Sequence, residues 1–267
     1  MEGIKVIKAE LSDDFESIEI VPIGDAHIGD EWCDEQMLKD VINYVLEKPN
    51  RFVILNGDLI NNAIKTSVSD TYMEQYEPEE QVKHVARLLL PIKDRILAMG
   101  SGNHEERTLK LTGIDPSRYM SVRLGIEDKY ADNSFVLFLK VGKSHNNKPS
   151  RPAKQTYSIF VQHGYGGGKK NGSKLNNLNA SDSIIADCDI YIMGHTHTLI
   201  ANITEVFVTD NQNQQIYRKK KHYLMHNSYM DFGGYGLRQG FSPSAKDIGY
   251  LSLSTVGRKK IKLTLGS

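Results

Sequence analysis

Five short clusters hold the residue types that could do chemistry: Asp25-Ala26-His27, Gly57-Asp58, Gly102-Asn103-His104, His163-Gly164 and Gly194-His195-Thr196-His197. They offer imidazole nitrogen together with carboxylate or amide oxygen, and no thiolate. That donor set suits hard-to-borderline divalent metal ions. Asp25 and His27 stand two residues apart, so on an extended chain they point to the same side and can reach one ion. A carboxylate at Asp58 can bridge two ions.

These residues need a scaffold that brings distant segments together. Each cluster directly follows a short apolar run that reads as a strand: residues 18–23, 52–55, 96–99, 157–161 and 190–193. Open α/β sheets form their sites at the carboxyl ends of strands, so the five clusters are expected to meet in one crevice. Between the strands, Asp34 can cap a helix whose apolar positions are Met37, Leu38, Val41, Ile42, Val45 and Leu46, ended by Pro49. A second helix starts near Pro78 with Glu79 and Glu80 in its first turn, and Pro91 ends it. A third begins around residues 105–111, and a helical run follows Ser173. The chain opens as an expected hairpin, residues 4–11 and 17–23, turned at Ser12-Asp13-Asp14. Residues 61–77 and 143–155 read as loops. After residue 200 strands dominate, at 203–208, 215–217, 222–225, 250–255 and 260–265. No internal repeat or linker divides the chain, so residues 1–267 are expected to form one domain of α/β class.

The ordered set resembles the calcineurin-like metallophosphoesterases, whose blocks are D-x-H, G-D, G-N-H-D/E, H and G-H-x-H. Here they stand as Asp25-Ala26-His27, Gly57-Asp58, Gly102-Asn103-His104-Glu105, His163 and Gly194-His195-Thr196-His197. Single blocks are common dipeptides, but five in order behind strands are specific. The resemblance implies two mixed β-sheets packed as a sandwich with flanking helices. It also implies two divalent ions, manganese first, with iron, zinc and nickel also suited. One ion would take Asp25, His27, Asp58 and His197, the other Asp58, Asn103, His163 and His195. The pair would lie ~3.5–4 Å apart with a hydroxide between them. Asn103 contributes a neutral oxygen, which limits negative charge where a phosphate must enter. His104 is implied as the catalytic residue that contacts the phosphate and protonates the leaving oxygen. Some relatives orient this histidine with an acidic residue three positions after the bridging Asp. Asn61 stands there instead, leaving Asp30, Glu105 and Asp70 as substitutes.

Other motifs bear on substrate. Gly164 to Lys174 imitates a phosphate-cradling loop but lacks Walker A spacing, which excludes nucleotide hydrolysis by that route. It can still hold a phosphate through backbone N–H groups, with Lys169 and Lys170 as expected substrate contacts. Asn61, Tyr235 and Arg238 complete the expected substrate contacts, with Tyr229 in the same glycine-rich wall. His226 or Asn227 can line the site. His84, His145 and His222 read as surface or packing histidines. Cys33 and Cys188 have no metal-type spacing and read as reduced thiols of a cytoplasmic protein.

The chain has 267 residues, 39% hydrophobic and 25% charged, which fits a globular protein with a full core. No stretch reaches membrane-helix length, and the start reads as a strand and not a signal peptide. Net charge is zero, yet residues 1–138 hold 15 Lys and Arg against 26 Asp and Glu, and residues 139–267 hold 18 against 7. From 139 to 181 there are eight basic residues and no acidic ones. A basic rim beside the metals favours a polyanionic phosphodiester, nucleic acid or nucleotide. The alternatives are a phosphomonoesterase on a small metabolite and a non-catalytic scaffold. The protein-phosphatase block G-D-x-V-D-R-G is absent, because Asn61-Asn62-Ala63 replaces its last three residues. The G-N-H-E-x-R block and the glycines after His163 are similar to those of bacterial and prophage-encoded members.

Overall fold

The computed structural model describes residues 3–11, 15–67, 71–142 and 154–266. The strands are β1 (Lys5–Leu11), β2 (Ser17–Ile23), β3 (Arg51–Asn56), β4 (Ile96–Gly100), β5 (Tyr130–Ala131), β6 (Phe135–Val141), β7 (Gln155–Gln162), β8 (Ile190–Met193), β9 (Ile200–Asp210), β10 (Gln215–Met225), β11 (Gly249–Ser254) and β12 (Ile261–Leu265). The helices are α1 (Glu35–Glu47), α2 (Pro78–Leu89), α3 (Asn103–Thr112), α4 (Pro116–Leu124), α5 (Asn171–Asn179) and the short α6 (Gly234–Arg238).

The strands build two six-stranded mixed sheets. Sheet I runs β1-β6-β7-β8-β10-β9 and sheet II runs β12-β11-β2-β3-β4-β5. They pack face to face. Ile18, Ile20, Phe52 and Ile54 of sheet II meet Leu137, Leu139, Ile159, Val161, Ile190 and Ile192 of sheet I. On the outer side of sheet II, Val21, Ile23, Val53 and Leu55 are covered by Leu38, Val41 and Val45 of α1 and by Val82, Val85 and Leu89 of α2. On the outer side of sheet I, Phe160, Tyr191 and Tyr223 pack with Leu178 of α5. The expected α/β sandwich with helices outside is thus present. Helix starts follow local chemistry. The Asp34 side chain accepts from Met37 N at 3.1 Å, and Pro78 opens α2 with Glu79 and Glu80 behind it.

Two expectations are corrected. β1 and β2 do not form a hairpin: β1 pairs in parallel with β6 in sheet I, whereas β2 lies between β3 and β11 in sheet II. The reason is burial. β2 is apolar on both faces, with Ile18, Ile20, Val21 and Ile23 fully buried, as a central strand requires. β1 carries exposed Lys5 and Lys8 and takes an edge. The expected turn at residues 12–14 lies outside the described residues. The second correction joins 215–217 and 222–225 into one strand, β10, straight through the basic run Arg218–Lys221. Lys219 pairs with Asp187 at 2.5 Å and Lys221 with Asp182 at 2.9 Å, so paired charges interrupt no ladder. The expected loop at 143–155 falls mostly outside the described residues, as do His145 and Asp70.

Candidate metal centre

β2, β3 and β4 run parallel in sheet II, and β7 and β8 run parallel in sheet I. Their carboxyl ends meet at the seam between the sheets. Asp25 and His27 follow β2, Asp58 follows β3, Asn103 follows β4, His163 follows β7, and His195 and His197 follow β8. All seven candidate ligands converge there. Asp25, His27 and His197 present ligand atoms within 4.8 Å of one another, and so do Asp58, His163 and His195. Asn103 Oδ1 joins the second group, 3.1 Å from His163 Nε2 and 2.8 Å from His195 Nδ1. His163 Nε2 lies 3.0 Å from Asp58 Oδ2 and 3.9 Å from Asp25 Oδ1, so the groups abut. His27, Asp58 and His104 form a third convergence.

The backbone of the centre is unusual. Asp25 (φ 51°), His27 (49°), Asp58 (48°), His195 (68°) and His197 (51°) all take left-handed conformations. Such residues cost of order 1–3 kcal/mol each and persist where surroundings over-determine them. Glu105 is one such constraint. Buried in the first turn of α3, its carboxylate accepts from Gly102 N (3.1 Å), Asp58 N (3.0 Å), Leu59 N (2.8 Å) and Ile60 N (3.3 Å). Burial first, then the neighbouring Asp58 charge, raises its pKa to about 7. Gly102 lets this happen, since a Cβ there would collide with Asp58. The sequence signal for this hub was the third-position Glu of a helix start.

Two buried carboxylates among imidazoles set the electrostatics. Burial opposes charge on Asp58, yet His104, His163 and His27 hold its pKa well below the ordinary value. Burial likewise opposes charge on Asp25, and His197, His163 and His226 hold it low. His163 resists burial through Asp58 and Asp25, which lift its pKa to about 10. His104 is lowered to about 4, chiefly by burial. Among the described residues, no carboxylate holds His104 Nδ1. Its Nδ1 donates to the backbone carbonyl of Asn61 at 2.6 Å, leaving Nε2 facing Asp58 Oδ2 at 3.7 Å. Asp30 accepts from Asn61 Nδ2 and Trp32 N instead, and Glu105 caps amides as described.

The expected substrate contacts separate into groups. The Asn61 side chain is buried and donates to Asp30 and Glu74, so what it gives the site is its carbonyl. Lys169, Lys170 and Arg238 are exposed. A Cβ on Gly240 would stand 3.6 Å from Lys169 Nζ, so the loop after His163 meets the 234–240 segment. Tyr235 lies in α6, within that segment. Tyr229 is buried, with its amide donating to Asp25 O, and is no substrate wall. Lys174 is also internal. It is 7% exposed and donates to Thr196 O, between His195 and His197, and to Thr198. His84 pairs with Glu35 at 2.8 Å and stacks on Tyr76, as a packing histidine does. His222 is buried beside Asp189 O, and Cys33 and Cys188 are free thiols.

A sequence profile of the family described as calcineurin-like phosphoesterase matches residues 18–199, so this chain belongs to that family of phosphoester hydrolases. A search of curated proteins finds no match. Among solved structures, the chain is similar to a conserved uncharacterized protein of Streptococcus pneumoniae, a predicted phosphoesterase, at 12% identity and TM-score 0.37, covering 94% of this chain and 99% of that one. It is also similar to the anchor in the inner membrane complex of Plasmodium, at 12% identity and TM-score 0.41, covering 93% and 84%. NAD nucleotidase of Haemophilus influenzae shares 13% identity at TM-score 0.35, and the chain spans half of its length. No helix among the described residues is long and apolar enough to cross a membrane.

Proposed function

We propose that this phosphoesterase is a dinuclear phosphodiesterase acting on nucleic acid or nucleotides. The observation that supports two ions is the donor geometry at the seam. Asp25 Oδ1 is buried without a hydrogen-bond partner, a state that costs free energy unless a cation answers it. Asp25, His27, Asp58 and His197 would hold one ion, and Asp58, Asn103, His163 and His195 the other. Manganese, iron, zinc and nickel all suit these donors. Lewis acidity from bound ions acidifies water and offsets charge on phosphoryl oxygens.

The chain's own residues do the rest. The Asn61 carbonyl fixes the proton of His104 on Nδ1 and leaves Nε2 toward the crevice. A phosphate anion against Nε2 favours a second proton there, which can pass to the leaving oxygen. Asn103 keeps the centre one negative charge lower than a carboxylate would. Exposed Lys169, Lys170 and Arg238 on adjoining segments form a cationic rim that supports a diester with flanking phosphates. Trp32, Tyr72, Tyr165 and Phe232, on loops after β2, β3, β7 and β10, are exposed aromatics of the kind that stack bases. A phosphomonoesterase is the second reading, favoured by the burial of Lys174, which removes one lysine from the rim. We read residues 1–267 as one domain, and the free thiols as fitting a reducing cytoplasm.

Metal titration of chelator-treated protein with manganese is expected to reach two ions per chain. Paired chromogenic mono- and diesters, then oligonucleotides, are expected to show faster diester turnover and oligonucleotide cleavage. Saturation at one ion overturns the dinuclear reading. Good monoester turnover with no oligonucleotide binding at low salt overturns the diester reading.

A further inference from the structure

The candidate ligands come from both sheets. Asp25, His27, Asp58 and Asn103 belong to sheet II, and His163, His195 and His197 to sheet I. Ladder hydrogen bonds fix offsets within a sheet, and apolar packing between sheets is non-directional. Something directional must hold the seam, because ligand sets shared between sheets tolerate little sliding.

Asn56, the last residue of β3, crosses that seam with both its carbonyl and its side chain. Its carbonyl accepts from His163 Nδ1 at 2.8 Å. Its side-chain Nδ2 donates to Gln162 O, the last residue of β7, at 3.1 Å, and lies 3.0 Å from His226 Nε2. The Gln162 carbonyl can only accept, which fixes the amide orientation. Nδ2 is therefore the atom facing His226, Nε2 must be an acceptor, and the His226 proton sits on Nδ1. That nitrogen faces Asn227 O at 3.0 Å and Asp25 Oδ2 at 3.6 Å. His226 follows β10 directly, is 3% exposed, and its amide donates to Met193 O at the end of β8.

The ring also fills a slot that two glycines create. A Cβ on Gly24 would lie 2.7 Å from its Cε1, and one on Gly194 2.5 Å from its Nε2. Gly24 precedes Asp25 in sheet II, and Gly194 precedes His195 in sheet I. Both ligand-bearing turns therefore rest on one imidazole edge. Asp25 and His195 are also tied directly, through His195 N donating to Asp25 Oδ2 at 2.8 Å.

We propose that His226 is a positioning residue, a wedge with a directional hydrogen bond to Asn56 that sets the spacing between the ligands of sheet I and those of sheet II. His226 stands outside the three groups of ligand atoms that converge at the seam, so it acts beside the ligands and is not one of them. The proposal rests on the reading of the seam as a metal centre. Groups that orient metal ligands typically contribute about 10–100-fold in affinity.

The test uses His226→Phe and His226→Gln in the full chain. Phe keeps the wedge and loses the acceptor, whereas Gln can accept from Asn56 through Oε1. Metal-free melting shows that each is folded, and calorimetry with manganese and with zinc gives affinity. His226→Phe is expected to weaken metal binding about 10–100-fold, with His226→Gln recovering part of it. In the wild type, imidazole ¹⁵N shifts of His226 are expected to show the proton on Nδ1. Wild-type affinity in a folded His226→Phe overturns the proposal, as does a His226 proton on Nε2. If His226→Phe fails to fold, the outcome rests on His226→Gln and the tautomer. A folded His226→Gln with less than wild-type and non-zero affinity supports the proposal, and one that binds no metal overturns it. Wild-type saturation at one ion overturns the dinuclear function and leaves this comparison readable on that ion.

Discussion

Asp25 Oδ1 and His104 Nε2 are two atoms of the centre with no close hydrogen bond of their own. The first lacks a hydrogen-bond partner, and the second faces the crevice because Nδ1 is held by Asn61. Their roles separate in a pair of variants. His104→Ala is expected to leave metal stoichiometry intact and slow turnover by about 10²–10⁴-fold, the range for a lost general acid. Asp58→Ala is expected to lower both occupancy and turnover, since it adjoins both ligand groups. Calorimetry and steady-state rates on a chromogenic diester check both, and metal loss in His104→Ala with retention in Asp58→Ala reverses the assignment. At this scale the ligand positions were legible in the chain, because each motif is local and each sits behind an apolar strand. The orienting group of His104 was not. It is a backbone carbonyl, and a carbonyl carries no residue identity. Left-handed conformations at Asp25 and His195 were hidden for the same reason, because packing imposes them on residues that do not announce them.

Elements decide which charges face water. Lys174 counts in sequence with Lys169 and Lys170, yet α5 turns it inward onto Thr196 O while its neighbours remain exposed. Lys169 and Lys170 precede α5 and Lys174 lies within it, and only the fold shows that Lys174 is the one turned inward. Lys174→Met is therefore expected to loosen the turn carrying His195 and His197. Manganese affinity is expected to fall about tenfold, with the salt dependence of oligonucleotide binding unchanged. A changed salt slope with normal metal affinity would return Lys174 to the rim. The hairpin expected from β1 and β2 fails on a related ground. Adjacent strands with a short connection suggest pairing, but β2 is buried on both faces and needs partners of the same kind, while β1 is not.

The whole molecule divides its charge much as the chain does. Sheet I is built mainly from residues 135–225 and sheet II mainly from residues 17–131, so the metal centre lies where an acidic half meets a basic half. Such a field orients an approaching polyanion. Replacing Lys169 and Lys170 together with Ser is expected to weaken oligonucleotide binding. Each lost phosphate contact is expected to reduce the slope of log K against log salt by about 0.7 for a single strand. Turnover of a small chromogenic diester is expected to hold. Equal loss on both substrates would mean that the loop supports the centre and does not meet the polymer. The charge asymmetry was legible from counting, and the α/β class from alternating strands and helices. The sheet assignments of β1 and β11 were not, because they depend on pairings between segments far apart in the chain, β1 with β6 and β11 with β2.

Those pairings govern the order in which the protein can be completed as it is made. Every candidate ligand has been synthesised by His197, yet β2, which carries Asp25 and His27, still lacks one neighbour. That neighbour is β11, with Leu251 opposite Ile20 and Leu253 opposite Ile18. His226 also arrives after all the ligands it wedges apart. A nascent chain paused near residue 200 therefore holds a full set of metal donors beside an open apolar edge. Exposed edges of this kind invite pairing with other chains. The arrival of β11 thus closes the sheet that the first ligands stand on, so that step, and not the appearance of His197, marks the moment when metal can be held in its mature geometry.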